Sequence, residues 1–304
     1  MLISPHPKSG RKYIHVFPGD PFLGEIRDCY RSAASRIPYM GVDDFLNWTP
    51  DRREWFDEKN VIIFWGPLPE IPETRRAGVA LRYTESVGPS DGLTPVQRDI
   101  IATFTARVRD IDVLIGGTET VAEFWRPICW RTAVAPIGYE PGVLGTPDWT
   151  VKKTVGITFH GNLLGRRTWI LKALRRHFPK FAWINAFGME RKKALDRSLV
   201  DLYIGHSDEP SFPGMRIWQA ISSSAALATE PRDAWPAVQG RHYFTLPPAD
   251  HDKPIIFLDA VKRLLADPSM LRQVAMTAHG DLSSYTIEHC MEEFIIPATE
   301  GMHG

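Results

Sequence analysis

The stretch SFPGMRIWQAISSSAALATEP, residues 211–231, decides how this chain is read. Pro213-Gly214 forms a turn that opens a short helix. The small residues Ser222-Ser223-Ser224-Ala225 then pass into an apolar strand that ends at Thr229. Gly214 stands at the entrance of the helix, where backbone N–H groups with no partner inside the helix can face an anion. Arg216 lies one turn inside. Turn, helix, small-residue corner and buried strand in this order describe one unit of a parallel α/β sheet with an anion site at the helix entrance.

Outward from this block the chain repeats the same alternation. On the amino-terminal side, Lys12–Phe17, Val61–Trp65, Val79–Tyr83, Asp112–Ile115 and Thr132–Pro136 read as strands. Several are continuous apolar runs, as strands buried on both faces require. Leu23–Ile37, a segment from Thr94-Pro95 to about Arg109, and a segment starting at Glu119 read as helices. The second has a capping Thr followed by Pro at the first helical position. Between Pro136 and Trp149 periodicity is lost in a run rich in Pro and Gly. There the spacing places a linker between an amino-terminal domain, 1–145, and a carboxyl-terminal domain, 146–304. In the second domain Thr154–Phe159, Phe181–Asn185, Leu202–Ile204, Ala225–Thr229 and His242–Thr245 read as strands. Arg166–His177, Gly214–Ser222, Pro254–Ala266, Ser269–Ala278 and Thr286–Ile295 read as helices.

Composition suits such an architecture. A chain of 304 residues with 43% hydrophobic and 24% charged residues has the size and make-up of two globular domains. Net charge is zero, so total charge selects no partner. Its distribution does. Between Val151 and Val200 stand twelve Lys or Arg against two acids, Glu190 and Asp196. Such segregation is either the solvated face of two amphipathic helices or a field that attracts phosphates, from a small donor or from nucleic acid. The three cysteines, Cys29, Cys129 and Cys290, have neither metal-ligand nor redox-motif spacing and suit a reducing compartment. The first residues carry no signal-peptide core. No apolar run is long enough to span a bilayer. These features predict a cytoplasmic protein without a membrane span.

The 211–231 block resembles the donor-binding segment of glycosyltransferases of the B fold, with Ser211 and Gln219 where many members carry two glutamates. The central Arg and the aromatic residue before Gln219 are closest to the branch related to spore-maturation proteins. Pro136-Ile137-Gly138-Tyr139-Glu140 is similar to the Pro-x-Gly-x-Asp stretch at that fold's domain junction. Leu264–Arg272 resembles the phrase in which a helix ends, Asp-Pro turns and the next helix begins. The resemblance implies an α/β fold with two Rossmann-like parallel-sheet domains facing a cleft and a last helix returning towards the first domain. It implies a nucleotide-diphosphate sugar, UDP-linked, as donor substrate, with no cofactor and no metal. It places the donor on Gly161, Asn162, Arg166 and Arg167 of the loop after the Thr154–Phe159 strand, and on Ser211, Phe212, Gly214, Met215, Arg216 and Gln219. Gln219 can accept and donate hydrogen bonds at a ribose, and an arginine fork matches phosphate oxygens.

In this architecture a base from the first domain deprotonates the acceptor hydroxyl. Glu85 and then Asp20 are the candidates, because each follows a strand end, where open α/β sheets bind ligands. Glu119 is placed similarly but starts a helix. His160 and His206 fall near the donor residues. No dinucleotide fingerprint, Walker loop, nucleophile elbow or zinc-protease motif is present. The expected function is sugar transfer to an acceptor hydroxyl, on a saccharide or on a hydroxymethylated DNA base. A nucleotide-sugar epimerase and a non-catalytic nucleotide-sugar-binding protein are the competing readings.

Overall fold

A computed structural model describes residues 3–19, 23–44, 56–66, 68, 71, 75–83, 95–163, 166–205, 214–250 and 254–302, apart from the side chains of 95–97 and 100. The chain divides into two compact units, Met1–Glu140 with Tyr285–Gly304, and Pro141–Ser284. Asp20, Glu85, His206, Ser211 and Phe212 lie outside the described residues.

The first unit is built on β1 (Lys12–Phe17), α1 (Gly24–Ala34), β2 (Met40–Asp44), β3 (Asn60–Trp65), β4 (Gly78–Tyr83), α2 (Pro95–Arg107), β5 (Val113–Gly116), α3 (Glu119–Trp125) and β6 (Thr132–Val134). Its six strands pair in parallel in the order β2-β1-β3-β4-β5-β6. Every residue of β3 and β4 is buried, which is why both read as largely apolar runs, with Arg82 the charged exception in β4. Ile14, Val16, Ile62, Phe64, Val79, Leu81 and Leu114 form one side of a core that Phe104, Val121 and Trp125 cover from α2 and α3.

Strand β2 was not among the expected elements. It pairs only with β1 and buries only its first half, so it has no apolar run. A Cβ at Gly41 would stand 2.4 Å from Ile3 Cδ1, so a larger residue there would displace the end of that side chain. Asp44 at its end faces Arg27 and Arg31 of α1, at 3.1 and 2.5 Å. One polar cluster is fully buried in this unit. Trp65 Nε1 donates to His15 Nδ1 at 3.1 Å, the Arg82 guanidinium stacks 5.5 Å from the Trp65 ring, and Arg82 donates to the carbonyl of Ala135. Burial, then the Arg82 charge, pushes the His15 pKa down to about 3.

The second unit contains α4 (Pro141–Leu144), β7 (Val155–His160), α5 (Arg167–His177), β8 (Phe181–Ile184), α6 (Gly188–Asp196), β9 (Ser198–Tyr203), α7 (Gly214–Ile221), β10 (Ala226–Thr229), β11 (Tyr243–Thr245), α8 (Pro254–Leu265) and α9 (Pro268–Leu282). The parallel order is β11-β10-β9-β7-β8. Its core joins Ile157, Phe159, Val200, Leu202, Ala226 and Ala228 to Ile170, Leu174, Phe257, Val261 and Leu271 of α5, α8 and α9. Helix α9 has the expected start: Asp267 accepts from Met270 N at 2.9 Å, and Pro268 opens the first turn. Helix α6 was missed in the sequence. Its buried side consists of Arg191, Lys192, Leu195 and Asp196, so polar groups replace the apolar stripe that marks most helices. Lys192 closes on Asp196 at 2.6 Å.

The chain then returns to the first unit through α10 (Ile287–Cys290), a π-helical turn (Met291–Ile295) and α11 (Ile296–Thr299). The expected single helix is therefore interrupted. Pro297 has no N–H to offer the carbonyl four residues back, and its ring crowds that carbonyl, which favours a widened turn just before it. Tyr139 pairs with Thr286, and Gly138, at φ +100°, lies where a Cβ would come within 2.9 Å of Ile287 Cα. Glu140 is buried on Arg36 at 2.7 Å and Ser32 at 3.1 Å. The three cysteines are free and buried. Among the described residues, no helix is long and apolar enough to cross a membrane.

Candidate functional site at the carboxyl ends of the second sheet

In a parallel sheet the ligand crevice lies outside the carboxyl ends of the strands, where consecutive connections leave in opposite directions. In the second sheet this switch point falls between β7 and β9, since β8 lies on one side of β7 and β9 on the other. His160 ends β7 and Tyr203 ends β9. Thr158 is the register partner of Asp201, so alternation along the strands puts His160, Asp201 and Tyr203 on one face.

Gly161 follows β7 with φ +133°, and a Cβ there would stand 2.7 Å from Arg216 Nη2. The residue is thus glycine both for its backbone angle and for the guanidinium beside it. Arg216 comes from the first turn of α7. Its Nη1 lies against the His160 ring, in contact with Nδ1 and 2.7 Å from Nε2. His160 Nε2 is 3.2 Å from Asp201 Oδ2. A carboxylate only accepts and a guanidinium only donates. A neutral ring in this chain therefore carries its proton on Nε2, towards Asp201, and receives Arg216 at Nδ1.

Arg167 is buried at the start of α5 and donates to the carbonyls of Ile204, at 2.7 Å, and Asn162, at 3.3 Å. Arg166 donates to the carbonyl of Gly205 at 3.2 Å and pairs with Glu230. Glu230 is buried just past β10. It accepts from Gly205 N at 3.2 Å and Ala249 N at 2.8 Å, and Arg232 approaches its other side at 3.6 Å. The guanidinium carbons of Arg167, Arg216 and Arg232 each lie 5.6 Å from the centre of the Tyr203 ring. Asn162 is exposed, Gly214 and Met215 are half-buried, and Gln219 is buried on α7.

Among the described residues, five guanidinium groups, of Arg166, Arg167, Arg191, Arg216 and Arg232, share this region with two carboxylates, Asp201 and Glu230. The electrostatics register the crowding. Burial first, with smaller contributions from Arg167 and Arg191, lowers the Arg216 pKa to about 10 against the opposing pull of Asp201 and Tyr203. Burial and then Arg216 push His160 down to about 4 against the pull of Asp201.

The sign of the stability effect follows. A histidine with a folded pKa below its unfolded value of about 6.5 binds fewer protons folded than unfolded in the interval between them, so stability is complete above that interval and lost as pH falls through it. His160 alone should remove roughly 3 kcal/mol between about pH 6.5 and pH 4, and His15 should continue the loss to lower pH. Thermal midpoints across this range should fall steeply for wild type and less for His160→Asn. Parallel curves would show that His160 is not held neutral.

Asp201, Tyr203, Glu230 and Arg232 were not among the candidates drawn from the sequence. A signal existed for three of them: Asp201 interrupts a buried strand, and Glu230-Pro231-Arg232 directly follows one. Glu119 is exposed and pairs with Arg126 at 2.7 Å, while Thr118 caps its helix. Among the described residues, no group of three or more His, Cys, Asp or Glu could hold a metal ion.

The basic segment divides in three. Arg166, Arg167 and Arg191 belong to the site. Lys153 bonds the carbonyls of Asp196 and Ser224 at 2.9 and 2.7 Å, beside the Lys192–Asp196 pair. The other seven, Lys152, Lys172, Arg175, Arg176, Lys180, Lys193 and Arg197, are exposed. Lys180 and Arg197 lie beside the amino ends of the strands, where their carbonyls receive Gly156 N and Thr154 N at 2.8 and 2.9 Å. Arg175 and Arg176 close the helix that leads there.

No protein-family description matches this chain, and no curated protein sequence matches it. Solved structures do. Sucrose-phosphate synthase from Thermosynechococcus elongatus aligns over 93% of this chain and 97% of its own, with a TM-score of 0.62 at 11% identity. Anabaena Alr3699/HepE, solved in complex with UDP and glucose, aligns over 93% and 98%, with a TM-score of 0.64 at 9% identity. An alpha-glucosyltransferase solved with UDP-glucose and DNA containing an abasic site aligns over 95% and 99%, with a TM-score of 0.53 at 9% identity. The fold is that of the B-fold glycosyltransferases. At such identities the likeness extends to architecture.

Proposed function

We propose that this chain is a glycosyltransferase whose second unit binds a nucleotide-diphosphate sugar, UDP-linked, at the carboxyl ends of β7, β9 and β10. The observation that carries this reading is the convergence of Arg166, Arg167 and Arg216 at the carboxyl ends of β7 and β9, with Gly161 beside the Arg216 guanidinium. Guanidinium forks gathered at that end of a parallel sheet match the oxygens of a diphosphate. Arg216, with Gly161 open beside it, is the principal phosphate ligand; Arg166 and Arg167 support it. Asn162, Ser211, Phe212, Gly214, Met215 and Gln219 complete the donor site, with Gln219 serving the ribose. As the bond to the sugar breaks, these cations stabilise the charge on the leaving diphosphate. No cofactor and no metal takes part in this reading. It assigns deprotonation of the acceptor to Glu85, with Asp20 as second choice, and keeps the resemblance of the 211–231 block to the branch related to spore-maturation proteins.

A thermal-shift titration with nucleoside diphosphates tests the donor. At a ligand concentration ~100-fold above its dissociation constant, UDP should add about 2.7 kcal/mol of stability. Absence of stabilisation by every nucleoside diphosphate would remove the reading.

The acceptor is a saccharide or a hydroxymethylated DNA base, and the seven exposed cations of the basic segment favour examining DNA. Duplex DNA binding should weaken steeply as salt rises if those cations meet phosphates, with a slope of log affinity against log salt of about −0.9 per contact. Undetectable binding at low salt would remove DNA and leave the saccharide.

A further inference from the structure

We propose that Asp201 and His160 form a positioning pair for Arg216, and thereby determine how tightly the second unit grips the phosphates of its donor. The inference rests on the donor reading but concerns residues that reading does not use. Three observations carry it. Asp201, His160 and Arg216 form a continuous polar chain from the middle of β9, through the end of β7, to the first turn of α7. Asp201 and His160 are buried, so they reach a ligand only through Arg216. Gly161 and Tyr203 bound the same guanidinium on other sides, Gly161 where a Cβ would stand 2.7 Å from Nη2 and Tyr203 with its ring centre 5.6 Å away.

The chemistry explains why a histidine stands here. The side chain behind a phosphate-binding arginine must accept a hydrogen bond without neutralising the charge the phosphate needs. A carboxylate in contact would form an ion pair that competes with the ligand. A neutral imidazole accepts through Nδ1 and leaves the guanidinium fully charged. Asp201 takes the Nε2 proton, fixing the tautomer so that Nδ1 faces Arg216. The carboxylate thus orients the ring from one shell further out, as second partners do for metal-binding histidines.

The test uses UDP affinity, with each variant's thermal midpoint recorded to show that it is folded. His160→Asn places an amide oxygen where Nδ1 stood and keeps an acceptor for Arg216. His160→Leu, of similar volume, offers Arg216 no acceptor. Asp201→Asn releases the tautomer. UDP affinity should fall about tenfold in His160→Leu and Asp201→Asn, the size of one hydrogen bond to a charged group, and stay within about threefold of wild type in His160→Asn. In an Arg216→Ala background the same substitutions should change UDP affinity by less than about twofold, since residues acting through one partner lose their effect with it. Equal effects in the two backgrounds, or His160→Leu binding UDP as well as His160→Asn, would overturn the proposal and leave the donor reading standing. Wild type that binds no UDP would overturn both.

Discussion

Arg216→Ala should lower turnover of a UDP-sugar by about 10²–10³, the range expected when one preorganised donor to a developing oxyanion is removed, with little change in thermal midpoint. The two outcomes separate because of where Arg216 sits. Its guanidinium is desolvated and repelled by Arg167 and Arg191. Removing it relieves that repulsion and frees His160 from the charge that helps to depress it. What is lost is the fork that a phosphate would engage. Arg216→Lys should recover little, because an ammonium cannot present two parallel N–H groups and cannot lie flat near the Tyr203 ring. Turnover of the Ala variant at the wild-type rate, with donor and a mixed pool of acceptors supplied, would show that this guanidinium does not meet the donor.

Glu230→Ala should destabilise the second unit by about 3–5 kcal/mol, the usual cost of removing one side of a buried ion pair. The carboxylate joins four elements of structure. It accepts from Gly205 after β9 and from Ala249 after β11, and it balances Arg166 before α5 and Arg232 after β10. Without it, two backbone N–H groups lose an acceptor, and Arg166 and Arg232 lose a counter-charge. Glu230→Gln should be milder, since an amide oxygen still accepts one of those bonds. UDP should stabilise the Gln variant by more than it stabilises wild type, because the diphosphate then supplies charge that Glu230 supplied before. Chemical denaturation with and without UDP measures both effects. A Glu230→Ala variant as stable as wild type would show that the guanidinium cluster needs no internal counter-ion.

The parallel α/β architecture of this chain was legible because a buried strand has a simple signature. Continuous apolar runs such as Val61–Trp65 and Val79–Tyr83, each ending in a turn, can serve little else than strands covered on both faces. The elements that escaped do so for the converse reason. Strand β2 is an edge strand with two aspartates, and α6 buries Arg191, Lys192 and Asp196 among its inward residues, so neither shows the expected periodicity. At the candidate site, residues contiguous in sequence were found together: Gly161 with Arg166 and Arg167, and Gly214 with Arg216. Asp201, Tyr203, Glu230 and Arg232 join them only because β9 runs parallel beside β7 and β10 beside β9.

Composition and pattern alone therefore determined that the chain builds two parallel sheets, that a glycine turn opens a helix carrying Arg216, and that positive charge collects between residues 151 and 200. Tertiary structure alone decided which of that charge turns inward. Of twelve cations, Arg166, Arg167 and Arg191 turn inward to the guanidinium cluster, Lys153 and Lys192 lock onto the Asp196 region, and seven remain exposed, with Lys180 and Arg197 by the amino ends of the strands. The physical reason is range. Apolar periodicity acts over a few residues and is written along the chain. The effect of a charge depends on burial and on opposite charges within a few ångströms, and those neighbours come from strands forty to seventy residues apart.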